Sequence, residues 1–309
     1  MRRVPLFVLL LLCALLAAPA AADRHAPPNA VASILPLHAL LAGVMQGVAE
    51  PALLIAPAQS PHKVALRPNQ ARRLAQADLF VWVGEELESG LRKAVSVLPT
   101  NAVVIRLGHD ADVPVLPARD SAAWAPHHHD DDVGHGGIDP HLWLSPDQAA
   151  RIASRMAEAL IEIDPGHAPV YKANLERMVG RLDEVDALVE QRLAPIRGRP
   201  YLVFHDAYQY FERHYRLNAI GSVTIDADHA PGANRIAVLR RRIQESQAGC
   251  VFTEPHFEPR VVRILIEGSA AKIGELDPVG RDIEPGPEAY FELLDRLSTS
   301  LVSCLGPTP

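Results

Sequence analysis

The chain has 309 residues, with 30 Lys and Arg against 37 Asp and Glu and a formal charge of −7 when its 14 histidines are neutral. A length near 300 is where one hydrophobic core divides into two, so a pair of lobes is expected. The acidic balance and the lack of a basic run argue against nucleic acid and anionic membrane as partners. Residues 1–22 read as an export signal: Arg2 and Arg3 precede an apolar run over 6–16, and Ala20-Ala21-Ala22 offers a cleavage site before Asp23. That run is shorter than the roughly 20 residues a membrane span needs, and no later stretch suggests insertion. Cleavage leaves 28 basic and 37 acidic side chains, a charge of −9, in an exported chain. Cys13 leaves with the signal. Cys250 and Cys304 then read as one disulfide in an oxidising compartment, with a free pair as the alternative; they lack CxxC spacing.

Beyond the signal, short β-rich runs at 31–35, 52–56, 79–83 and 103–107 are expected as strands, with helices at 37–46 and 68–77. Ser145-Pro146-Asp147-Gln148 has the form of a helix start, with serine as N-cap, proline at the first position and glutamine closing a capping box. A long helix is expected over 167–193, about 40 Å at 1.5 Å per residue, with Tyr171, Leu175, Met178, Leu182, Val185 and Val189 on one stripe. Strands at 201–204, 219–223, 250–253 and 272–275 then alternate with helices at 206–215, 235–247, 259–270 and 288–303. The expected fold is α/β: two lobes, each a mostly parallel sheet flanked by helices, joined by one long spine helix. The expected divisions are a signal at 1–22, an N-terminal lobe at 23–164, a linking helix at 165–196 and a C-terminal lobe at 197–309. Residues 119–137, rich in His, Asp and Gly, break the alternation and read as a surface loop.

His62, His141 and His205 stand at strand-to-helix junctions, where α/β lobes present ligand groups at the carboxyl ends of strands. Histidines there serve either as satisfied polar residues or as metal ligands. Spacing alone leaves the two even. Three neutral imidazoles would suit zinc, copper, nickel or iron better than magnesium or calcium.

Ser60-Pro61-His62 with Leu66-Arg67-Pro68, Val81-Trp82-Val83-Gly84, Asp139-Pro140-His141-Leu142-Trp143-Leu144-Ser145-Pro146, Phe204-His205-Asp206-Ala207, Phe252-Thr253-Glu254-Pro255 and Leu276-Asp277-Pro278 resemble the metal-specific (cluster A-I) solute-binding proteins of ABC importers. The resemblance runs from about residue 30 to the C-terminus and is strongest to the zinc-type members. It implies a periplasmic zinc-binding protein that captures Zn²⁺ between its lobes through His62, His141 and His205 and delivers it to the transmembrane subunit of an ABC permease, acting as a monomer. Manganese-type relatives carry glutamate where His205 stands, which points to zinc. Asp277 aligns with their aspartate ligand and is the candidate for a fourth position, with water or a nearby acid as alternatives. The family's zinc-type members also have a His/acid-rich loop and a disulfide in the C-terminal lobe. Here His127, His128, His129 and His135 would form a secondary, loosely held metal site or a solvated loop. Asp206 and Glu254 are candidates for orienting imidazoles. His229 would belong to a secondary site or, more simply, a surface loop, and the remaining histidines read as structural or exposed. The alternatives to transport are a zinc-dependent hydrolase using a three-histidine site and a metal-binding adhesin of the same fold. No HExxH motif or nucleophile elbow supports an enzyme.

Overall fold

A computed structural model describes residues 26–98, 101–119, 137–224, 231–255 and 260–307. The export signal, the loop histidines His127, His128, His129 and His135, and His229 lie outside these residues. The first lobe is built from β1 (Ala30–Ala32), α1 (Leu35–Val44), β2 (Ala52–Leu53), α2 (Pro68–Ala75), β3 (Leu79–Trp82), α3 (Arg92–Val95), β4 (Val103–Arg106) and α4 (Pro146–Ile163). The spine α5 (Ala168–Leu193) follows. The second lobe contains β5 (Tyr201–Val203), α6 (Gln209–Tyr215), β6 (Ala219–Ser222), α7 (Ala233–Ser246), β7 (Cys250–Thr253), α8 (Arg260–Ile266), β8 (Lys272–Glu275) and α9 (Ala289–Leu305).

Both sheets are parallel and share one strand order, β2-β1-β3-β4 and β6-β5-β7-β8. In each, the chain reverses its direction of growth between the two central strands (β1 and β3, or β5 and β7), which is where α/β sheets open a ligand crevice. The central strands β1, β3, β5 and β7 are buried along their whole length, as their unbroken apolar runs predict.

On α5, Tyr171, Met178, Leu182, Val185 and Val189 are buried on one stripe. That stripe faces α1, α4 and α9, and one continuous core runs from the first sheet through these helices to one face of the second. A smaller core with Leu202, Val223, Leu239 and Val251 fills the opposite face, under α7 and α8. Gly43 lets α1 touch α5, because a Cβ there would fall 1.9 Å from Met178 Cε. The buried Asn174 amide donates to Val44 O and Gln46 O at 2.8 Å each, satisfying carbonyls at the end of α1. Arg192 ties α5 to α9 through Asp295 and Ser298, at 2.7 Å each. A disulfide joins Cys250, at the start of β7, to Cys304 in α9.

The capping box expected at α4 does not form. Ser145 is the N-cap and Pro146 the first helical residue, but no side chain caps the end. The Gln148 amide instead donates to Pro114 O at 2.5 Å. Among the described residues, no helix is long and apolar enough to cross a membrane.

Candidate metal centre

His205 lies two residues beyond β5, at the carboxyl edge of the second sheet. His62 sits in a single 3-10 turn, Pro61–Lys63, well past the edge strand β2. His141 precedes another such turn, Leu142–Leu144, and follows an isolated antiparallel bridge between Pro117 and Ile138 rather than a named strand. The junctions therefore differ in kind, yet the three rings converge. Their centroids are 5.2 to 5.7 Å apart, and one nitrogen from each lies within 4.8 Å of the others. Among the described residues, no other group of three or more His, Cys, Asp or Glu meets that criterion.

Two of the rings are held by carboxylates. His141 Nδ1 lies 2.8 Å from Asp139 Oδ1, which also accepts the His141 backbone N–H at 3.0 Å. His205 Nδ1 lies 2.6 Å from Glu254 Oε1, at the carboxyl end of the neighbouring strand β7. When ionised, each carboxylate only accepts, which places the proton on Nδ1 and leaves the Nε2 lone pair for an electrophile. The two Nε2 atoms face each other at 3.4 Å. Two lone pairs at that distance repel until a proton or a cation comes between them.

Burial dominates the electrostatics. At His141 burial, and then His205 opposite, push the pKa well below the ordinary value. Burial also pushes the Asp139 carboxyl up to about 7. At His205 burial again opposes a charged ring, but Glu254, joined by Asp206 and Asp139, outweighs it and raises the pKa above 6.5.

Between the rings lies a cavity of about 20 Å³, walled by Trp143, Pro278 and Val279. That is room for about one water-sized particle. Three nitrogen donors around it suit a borderline transition-metal ion. Asp277 does not line this space: its carboxylate accepts the backbone N–H groups of Val279, Gly280 and Arg281 at 2.5 to 3.0 Å, in a turn that Gly280 completes with φ of +80°. Asp206 follows His205 directly, bears on its charge, and lies 3.5 Å from Arg119 Nε. Sequence reasoning gave Asp139 no role of its own, although an aspartate two residues before a histidine is spaced to accept that residue's N–H. The loop histidines fall outside the described residues.

The family described as the periplasmic component A of zinc-uptake complexes matches residues 30–304. The chain belongs to that family. It is 35% identical over 303 residues to a "High-affinity zinc uptake system protein ZnuA" of Brucella abortus, covering 89% of this chain and 91% of that one. To the protein of the same name from Yersinia pestis it is 36% identical over 287 residues, covering 89% and 90%. The periplasmic zinc-binding protein TroA of Treponema pallidum superposes with a TM-score of 0.76 at 21% identity, covering 91% of this chain and 99% of TroA, a likeness of fold. This zinc-uptake component is a solute-binding transport protein, not an enzyme.

Proposed function

We propose that this chain is the periplasmic capture subunit of a zinc importer, binding Zn²⁺ through Nε2 of His141 and His205 and a ring nitrogen of His62, then passing it to the transmembrane permease. The observation that carries the reading is the convergence of three imidazoles from both lobes on one ion-sized cavity, two of them oriented by buried carboxylates. Water fills the fourth position, because Asp277 is engaged by its own turn and sits outside the cavity. The lobes divide at 164/165 and 196/197, with α5 between them, and the mature chain starts after Ala22 and works as a monomer. Residues 127–135 act as an accessory arm that collects zinc.

The test is a calorimetric zinc titration of the metal-stripped mature protein beside His62→Ala and a deletion of residues 127–135. One tight site that collapses in His62→Ala and survives the deletion is expected. Tight binding indifferent to His62→Ala but lost with the loop would overturn the reading.

A further inference from the structure

A second set of contacts joins the lobes beside the histidines. Residues 116–119 and 137–139 form a short ribbon in which Asp139 N–H donates to Leu116 O at 2.8 Å and Ala118 N–H to Gly137 O at 2.9 Å. Tyr210, in α6 of the other lobe, accepts Leu116 N–H at 2.7 Å and donates to Asp139 O at 3.1 Å. The Gln209 amide reaches Pro117 O at 3.4 Å. Arg119 leaves the same ribbon in the opposite sense. Its Nη2 donates to Glu212 Oε2 in α6, and its Nε lies 3.5 Å from Asp206 Oδ1. The side chains of Arg119, Asp206 and Glu212 are only 17%, 15% and 6% exposed, so solvent screens these charges little.

The placement of these groups gives Arg119 its leverage. Asp206 adjoins His205, and Asp139, in the ribbon, holds the His141 ring. Anything that shifts the segment 206–212 against the ribbon shifts His205 against His141, and Arg119 reaches across this seam to the half-buried Asp206 and the buried Glu212. Removing the guanidinium takes away the bridge from the ribbon to α6 and leaves Asp206 and Glu212 without a cation, to be relieved by protonation, separation or water.

We propose that Arg119 is a positioning residue for the zinc site: it clamps the segment following His205 to the ribbon carrying Asp139 and His141, and so sets how slowly bound zinc leaves. The proposal rests on the three-histidine reading given above.

The test uses the full mature protein loaded with one zinc, with release followed by stopped-flow against excess chelator, and Co²⁺ substituted for zinc so that its visible bands report the ligand field. Arg119→Met is expected to release zinc about tenfold faster, the lower end for groups that orient metal ligands, and to shift the Co²⁺ bands. Arg119→Lys, which keeps the charge without the fork, should fall between Arg119→Met and the parent. Arg155→Met, which removes a guanidinium paired with Asp110 inside the first lobe, should leave both readouts unchanged. Glu212→Gln, isosteric and milder, carries the test if Arg119→Met does not fold. Release rates and Co²⁺ bands equal to the parent's in the Arg119 and Glu212 variants, or matched by Arg155→Met, would overturn the proposal. His205→Ala separates this from the reading beneath it. If that variant keeps tight zinc binding, the three-histidine site itself fails, whatever Arg119 does.

Discussion

Glu88 and Glu254 are counterparts in the two lobes: each is a buried carboxylate at the switch point of its sheet. Glu88 Oε1 accepts the Ser33 hydroxyl just beyond β1 at 2.5 Å, and Glu254 Oε1 holds His205 just beyond β5 at 2.6 Å. The first lobe uses its carboxylate to close the crevice; Glu88 Oε2 also takes Gly84 N–H at 3.0 Å. The second uses its carboxylate to aim an imidazole.

Glu254 should therefore matter to metal affinity through the ring it holds. Glu254→Gln keeps the shape but loses the charge that fixes the His205 tautomer, and is expected to weaken zinc binding by about 10- to 100-fold. Competition against a fluorescent chelator measures it. Unchanged affinity would mean that the His205 ring is held by packing alone.

Glu88 predicts an effect on stability instead. Burial pushes its carboxyl up to about 7 from 4.5, with Ser33 and the backbone N–H groups resisting, so the folded chain keeps a proton that the unfolded chain loses between those values. The stability from this group is complete below the unfolded value and is lost as pH rises through about 7. Glu88→Gln cannot ionise, so melting curves of the zinc-free protein between about pH 5 and 8 should slope less steeply downward than the parent's. Parallel slopes would show that Glu88 is ionised throughout.

Zinc affinity has the opposite pH dependence. Each ring must be neutral to bind, and of His141 and His205 it is His205, raised above 6.5, that protonates first as pH falls. Below its pKa the apparent affinity should drop about tenfold per pH unit for that single proton. His141, pushed well below the ordinary value, adds nothing over the same range. A titration series from neutral to mildly acid pH reads the slope; a flat profile would contradict proton competition at His205.

The disulfide should support stability without shaping the site. Cys250 begins β7 and Glu254 follows its far end, so the bond and the carboxylate lie at opposite ends of one strand. The 54-residue separation corresponds to about 4 kcal/mol in the chain-entropy model. Paired Cys250→Ser and Cys304→Ser substitutions should lower the melting temperature by on the order of 10 °C. Zinc affinity at low temperature should remain that of the parent.

Much of this was legible in the chain because its signals are local. Unbroken apolar runs bounded by turn residues locate β3, β5 and β7 within a residue or so. The stripe on α5 falls where its spacing puts it, although Asn174 takes a buried place beside Leu175. Edges were harder. β2 is two residues long where five were expected, since an outer strand pairs on one side only. Non-local partners were not legible at all. Gln148 forgoes its capping role for the Pro114 carbonyl, and Arg119, counted with a surface loop, is largely buried against Asp206 and Glu212. No local pattern says which distant carbonyl or carboxylate a long polar side chain will find.

The cavity between the three imidazoles has room for about one water-sized particle, far less than a metal ion carrying a full hydration shell. An ion must therefore shed most of its aqua ligands on the way in, exchanging them one by one for ring nitrogens. Capture is then governed by the lability of the ion's own water shell as well as by final affinity. A cation whose waters exchange sluggishly would then be expected to load slowly however well the three nitrogens suit it.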